Sequence, residues 1–286
     1  MGRIELVIVA AQRMPTDAAS LQGFAATRLV NVGRIESLGR AIAVGVQAAT
    51  GPIVAYAEEH SYPEPGWAAA LIERHRGPWA AVGWALENAN PDSSTGWAHL
   101  LADFGPGVAP VASGERQVLS WHHVSYKREE LVACEDRLGE MLEAEGVLHQ
   151  QLLARGRRLY LEGTVASRHL NVALLGSYLR SHLYGGRGFG AARARFEAWS
   201  APRRLAYALG FPLVPVLRLM RLLPDVRRTR TASRRRRWLL PTLALGLTVN
   251  AFGEAVGYLY GQGRTRQQRL PIELERARHI ARNPRG

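Results

Sequence analysis

The sequence has one cysteine, Cys134, and one lysine, Lys127, among 286 residues. A lone cysteine excludes an intramolecular disulfide and any cysteine-based zinc cluster, and it fits a reducing compartment. With lysine almost absent, the positive charge is carried by arginine. Together with abundant alanine and glycine, that usage points to a GC-rich, bacterial coding sequence and by itself says nothing about binding. The opening residues are not expected to act as a secretory leader: Leu6–Ala11 is too short for the apolar core of one and lies between Glu5 and Gln12. No internal repeat is present. At 47% hydrophobic and 21% charged residues, wholesale disorder is excluded, and the length allows a sizeable core.

Acidic residues are scarce in the second half. Residues 1–150 carry 11 basic and 18 acidic side chains, a net of −7, whereas residues 151–286 carry 26 and 6, a net of +20. A uniformly basic nucleic-acid binder is not built this way. An acidic body with a basic tail matches a soluble domain held at an anionic surface.

Apolar periodicity orders the first half. Ile4–Ala10 and Leu29–Val32 read as strands, and Leu38, Ala41, Ile42, Gly45, Val46 and Ala49 recur at helical spacing until Gly51-Pro52. Ile53–Tyr56 is a strand running into Glu58-Glu59-His60. Residues 65–76 form a second helix with proline in its first turn, and Ala80–Leu86 another strand. This alternation predicts an α/β sandwich with a mostly parallel central sheet, where ligands bind beyond the carboxyl ends of strands. Further strands are expected at 118–126, 158–161 and 165–169, with helices at 97–104, 128–134 and 140–155.

The character changes beyond about residue 185, dividing the chain into a domain of residues 1–185 and a basic helical tail of 186–286. The tail has two apolar segments, 205–224 and 238–260, flanking seven arginines in residues 227–237. Arginine beside anionic lipid contributes about 1 kcal/mol each, and its stem can lie along apolar surface while the head stays wet. The second segment is long enough to span a bilayer, but Glu254 would cost roughly 2.5–3.5 kcal/mol at its centre. The expectation is therefore an interfacial helical hairpin at the cytoplasmic face of a membrane. The alternative is a pair of helices packed on the first domain, with the arginines as a solvated loop. Nucleic acid is not the expected partner, since no aromatic stacking platform or helix-turn-helix pattern accompanies the arginines.

Glu58-Glu59-His60 is the strongest chemical signal: carboxylates and an imidazole at a strand end offer ligands for a divalent metal, Mn or Mg, that would bridge a diphosphate. An acidic strand-end loop that is merely solvated has the same composition. The run from Ala41 through Gly45, Ala49 and Gly51 to Tyr56 and Glu58-Glu59-His60 resembles the family 2 glycosyltransferases, where such a helix leads into a strand ending in an Asp-X-Asp motif. Pro63-Glu-Pro-Gly-Trp67 is similar to that family's Pro-x-x-Trp-Leu helix start. Ser125-Tyr126-Lys127-Arg128, Glu145, Leu152-Leu-Ala-Arg-Gly156 and His169 follow in the order of its acceptor half.

The resemblance covers about residues 4–185 and implies a GT-A fold that binds a nucleotide-sugar. It places Glu58 and His60 at the metal-ligand positions with Glu59 between them, Glu145 at the general base of inverting members, and His169 at a further metal ligand. Glu145 reads equally as an exposed helix carboxylate beside Glu140 and Glu143. His122 and His123 lie toward the acceptor side, where a hydrogen-bonded structural histidine is the simpler reading. The family's usual first strand and helix have no counterpart before Ile4, its Arg-Asn pair is Ile42-Ala43, and its Asp-X-Asp is Glu-Glu-His. The resulting expectation is an inverting glycosyltransferase acting on a lipid-linked or polysaccharide acceptor at the membrane. The alternative is a catalytically inert GT-A-like protein that binds glycans or partners there.

Overall fold

The computed structural model describes residues 4–11, 21–143, 145–229 and 233–280, with the side chains of Glu145 and of residues 233–236 outside the description. From the N-terminus the elements are β1 (Glu5–Ala10), β2 (Ala26–Asn31), α1 (Leu38–Ala48), β3 (Ile53–Tyr56), β4 (Ser61–Pro63), α2 (Trp67–Arg74) and β5 (Trp79–Asn88). Next come α3 (Ser94–Phe104), β6 (Gly114–Arg116), β7 (Val124–Lys127), α4 (Arg128–Val132), α5 (Leu138–Leu142), α6 (Glu145–Ala154) and β8 (Arg158–His169). Helices complete the chain: α7 (Leu175–Phe196), α8 (Ala201–Leu209), α9 (Leu213–Arg228), α10 (Ser233–Tyr260) and α11 (Thr265–Leu274), which leads into a 3₁₀ turn at Arg276–His279. The chain is thus mixed α/β with a central sheet.

Two compact units divide it: residues 1–57, 68–83 and 113–162 form the first, and residues 58–67, 84–112 and 163–286 the second. Strands β5 and β8 contribute residues to both. Residue 185, the boundary expected from composition, falls inside the continuous helix α7.

In the first unit β1 and β2 pair in parallel from Glu5↔Ala26 to Ala10↔Asn31. Helix α1 starts at Ser37, whose hydroxyl accepts from the Arg40 amide at 3.1 Å, a standard N-cap. Gly39 packs against helix α5 so closely that a Cβ there would lie 2.3 Å from the Gly139 carbonyl oxygen. Strand β7 pairs antiparallel with both β3 and β5, and β6 pairs antiparallel with Leu159–Leu161 of β8.

In the second unit β4 pairs antiparallel with the end of β8, Ser61 opposite His169 and Pro63 opposite Ser167. Its core gathers Ala98 and Leu101 of α3, Tyr178 of α7, Val226 of α9, and Leu239, Leu243 and Leu247 of α10. The four-residue spacing on α10 marks the one helical face that is buried. Glycines let α7 and α10 meet backbone to backbone. A Cβ on Gly186 would lie 2.1 Å from the Asn250 carbonyl oxygen, and one on Gly190 2.4 Å from that of Glu254.

The parallel arrangement expected for the sheet does not form in its described ladders. The parallel pair is β1–β2, while β3–β7, β5–β7, β6–β8 and β4–β8 are all antiparallel. Alternating strands and helices in sequence do not fix strand direction, because β7 returns beside β3 from a distant part of the chain. The two strands expected at 158–161 and 165–169 are one twelve-residue strand, β8. Its midpoint carries Glu162, a residue that would normally break a buried run. Here Arg74 reaches its carboxylate at 2.7 Å and the Ser113 hydroxyl donates to it at 3.0 Å, so the charge is paired and the strand continues. The helix expected over 140–155 is divided into α5 and α6, and the strand expected over 118–126 is the shorter β7 at 124–127.

Candidate functional site

The residues with the richest chemistry lie in the second unit, where pairing of β4 with β8 brings two distant segments together. The Ser61 amide donates to the Glu58 carbonyl at 3.0 Å, closing a turn that presents three side chains, and the Leu170 amide donates to the His60 carbonyl at 2.9 Å. One oxygen, Oε2 of Glu58, lies 3.2 Å from His60 Nε2 and 3.3 Å from His169 Nε2. The imidazole rings stand edge to face with centroids 5.0 Å apart. His60 and His169 are buried and Glu58 is 15% exposed. Glu59 is 58% exposed and approaches His60 Nδ1 at 3.4 Å from outside.

Behind His169 sits an asparagine network that the sequence reading did not pick out. His169 Nδ1 donates to Asn171 Oδ1 at 2.8 Å, and His99 Nδ1 lies 3.3 Å from the same oxygen. Asn171 Nδ2 donates to Asn88 Oδ1 and to the His169 carbonyl, both at 2.9 Å. Asn90 pairs with the Asn171 backbone in both directions, at 2.8 and 2.9 Å. The proton on His169 Nδ1 is thereby held, and Nε2 is aimed at Glu58; a ligating histidine is oriented in the same way by its outer partner. The only sequence signal was the spacing Asn88-x-Asn90 in a segment rich in turn formers, which reads as a loop.

A third segment closes the cluster from the C-terminal side. Glu273, at the end of α11, is buried, and Arg269 Nε lies 2.9 Å from its carboxylate. Arg276 follows three residues later; its Nη2 is 2.5 Å from Glu273 Oε2 and 3.0 Å from His60 Nε2. Composition places these arginines in a basic tail with no hint that two of them are interior groups.

Electrostatics at the site follow from this packing. Burial alone would lower the pKa of His60, but hydrogen bonds to Glu58 and Glu59 and the charge of Glu58 outweigh burial and the opposing Arg276, raising it to about 9. Burial would raise the Glu273 carboxyl, yet Arg276 and Arg269 hold it down at about 2. His99 is pushed down to about 3 by burial, so it is a neutral imidazole.

Ligand atoms of Glu58, His60 and Glu273 lie within 4.8 Å of one another, a plausible donor set for a divalent ion by residue type. With the Arg276 guanidinium bridging His60 and Glu273, this set does not fit such an ion: the position between the donors already holds a cation.

The remaining residues singled out from sequence belong to the first unit. His122 has a positive φ of 56° and sets its ring edge-on to Tyr56 at 6.0 Å. His123 is fully buried, with Nδ1 2.7 Å from the Trp121 carbonyl. Glu145 is the first residue of α6, and its side chain lies outside the described residues. Glu58, His60 and His169 are therefore brought together as a group, with Glu59 at its edge.

The helices of the second unit carry an unusual exposed apolar face. Leu213, Val216, Leu217 and Met220 of α9 are more than half exposed, and Leu209 of α8 is 71% exposed. Arg203, Arg221 and Arg227 are exposed on the same two helices. Helix α10 is long and apolar enough to cross a membrane by length and composition, and Trp238, Leu245, Phe252 and Leu259 stand exposed along it at seven-residue spacing. Glu254 is turned inward and paired with Arg218 at 2.6 Å, so the charge within α10 is not on that exposed stripe. No known protein-family model and no curated protein matches this chain.

Proposed function

We propose that the chain is a membrane-associated, inverting glycosyltransferase of the GT-A type, moving a sugar from a nucleotide-sugar to a lipid-linked or polysaccharide acceptor. The observation that carries this reading is the convergence of Glu58 and His60 with His169, more than a hundred residues away in sequence, on one carboxylate oxygen. Of these, Glu58 and His60 stand at the metal-ligand positions of the donor site by the resemblance to family 2 glycosyltransferases, and His169 at that of a further metal ligand, both assigned through residue order alone.

By the same resemblance, Glu145 falls at the general base that takes the proton of an acceptor hydroxyl as its oxygen attacks the anomeric carbon and displaces the nucleoside diphosphate. Negative charge gathers on the departing diphosphate. The cationic side of the Glu58 cluster, His60 with its raised pKa and Arg276, supplies the opposite sign in a buried setting where charges interact strongly. Membrane association is supported by the arginine-flanked apolar face of α8 and α9, which matches an anionic lipid surface in both polarity and charge.

Calorimetric titration with UDP and GDP, with and without Mn²⁺, tests the donor site, beside a Glu58→Ala/His60→Ala variant. Micromolar binding of one nucleotide, lost in the variant, is the expected result, followed by release of that nucleotide from its sugar conjugates. Failure of a folded sample to bind either nucleotide removes the transferase reading. Binding without turnover favours the inert GT-A-like binding protein, a reading that the pairing of the acidic cluster with arginine also suits.

A further inference from the structure

We infer that Arg276 is the built-in cation of the Glu58–His60–Glu273 cluster, holding the place of a divalent metal, so that the cluster takes up no such ion while Arg276 is in position. The inference deepens the proposed donor site, since it concerns the cation of that same site; the geometry behind it would stand even if sugar transfer did not.

Three observations carry it. The first is position. Arg276 Nη2 lies 2.5 Å from Glu273 Oε2 and 3.0 Å from His60 Nε2, so a single nitrogen bridges two of the three donors. An ion bonded to the same carboxylate and imidazole would sit about 2.0–2.2 Å from each, in the space that nitrogen fills. The second is charge. The carboxylates of Glu58 and Glu273 are already matched by the guanidinium groups of Arg269 and Arg276, without counting His60, before any ion enters. A divalent ion would add two uncompensated charges to a buried site.

The third is how the arginine is held. Its side chain is 3% exposed, which leaves it no open route into solvent. Arg269, Glu273 and Arg276 are spaced four and three residues apart along α11 and the following 3₁₀ turn, which puts them on one face. The Ala173 and Leu174 amides donate to the His279 carbonyl at 2.9 and 3.1 Å, and the His279 ring contacts the Ser177 hydroxyl at 2.9 Å, fixing that turn. Nε and Nη1 of Arg276 have no hydrogen-bond partner among the described residues. A guanidinium kept buried with two unpaired donors is held there by its ion pair with Glu273.

The test is binding of Co²⁺ to the purified full chain, followed by visible absorption and equilibrium dialysis, with no nucleotide present. Wild type is expected to show no saturable cobalt absorption up to millimolar metal. Arg276→Gln frees the donors and is expected to gain one site at least tenfold tighter, lost again when Glu273→Gln is added. Far-ultraviolet circular dichroism reports whether the variants fold. The wild-type measurement is decisive even if they do not: saturable Co²⁺ binding at micromolar concentration, abolished by His60→Gln, overturns the inference, and its absence upholds it. Because the readout is metal alone, its outcome is separate from nucleotide binding and turnover.

Discussion

Alanine substitution at three glycines of α7 gives a sharp test of how α7 meets α10, because the three share one helix and differ in what lies opposite. A Cβ at Gly186 would be 2.1 Å from the Asn250 carbonyl oxygen, and one at Gly190 would be 2.4 Å from the Glu254 carbonyl oxygen and 2.9 Å from its Cα. Between them, a Cβ at Gly188 would meet nothing closer than the Gln262 side chain at 3.9 Å. Alanine in a helix is favoured over glycine by about 1 kcal/mol, so Gly188→Ala should stabilise the protein by roughly that amount. At 186 and 190 the same gain applies, but the methyl group strikes backbone that cannot rotate away. To restore van der Waals separation, α10 must move by about 1 Å, and overpacking of this kind costs typically 1–3 kcal/mol, occasionally more.

Gly186→Ala and Gly190→Ala should therefore be neutral to destabilising by about 2 kcal/mol, and each should fall below Gly188→Ala by roughly 1–3 kcal/mol. Urea unfolding of the three variants, followed by circular dichroism, measures these differences as midpoint shifts at constant slope. If Gly186→Ala is as stabilising as Gly188→Ala, the close approach of the two helices is refuted, and with it the burial of Glu254 beside Gly190.

Three further predictions follow from other parts of the molecule. Stability should peak near pH 6.5. His75 and His149 have folded pKa values of about 4 and His99 of about 3, so their contribution is complete above 6.5 and is lost as the pH falls toward those values. His60, raised to about 9, contributes fully below 6.5 and loses its share as the pH rises toward 9. The unfolding free energy from urea titrations should fall away from the peak by up to about 1.4 kcal/mol per pH unit for each titrating group, and a flat profile from pH 5 to 9 refutes both assignments. Asn171→Ala strips partners from His169, His99 and Asn88 in a buried network and should cost roughly 2–4 kcal/mol; a loss under 1 kcal/mol would mean that the network is not closed. Finally, the chain should co-sediment with vesicles containing phosphatidylglycerol but not with neutral ones. Leu213→Glu/Leu217→Glu should abolish this, and sedimentation unaffected by the double change would rule out the α9 face as the contact.

Much of the chain's local organisation was legible in its residues. The short apolar run Ile53–Tyr56 and the amphipathic spacing that makes α1 are near-neighbour effects, and each element formed where these signals lie. Glu58-Glu59-His60 could likewise be singled out at a strand end as two acids beside an imidazole, although a solvated acidic loop has the same composition. The charge split between the halves also required no fold.

Tertiary structure decided how these pieces meet. Hydrophobic period is a property of a few consecutive residues, whereas strand direction depends on where the chain turns back; hence the antiparallel ladders around β7 and β8. A buried carboxylate reads as a break until its partner is known, so Glu162 hid the continuity of β8 until Arg74 was found beside it. Arginine reads as surface for the same reason. Arg276 enters the interior because Glu273 awaits it there, and Asn171, in the loop after β8, is buried because Asn88, Asn90, His99 and His169 surround it. Desolvation makes each of these polar groups costly alone and stable together, and that cooperation between distant residues exists only in the folded chain.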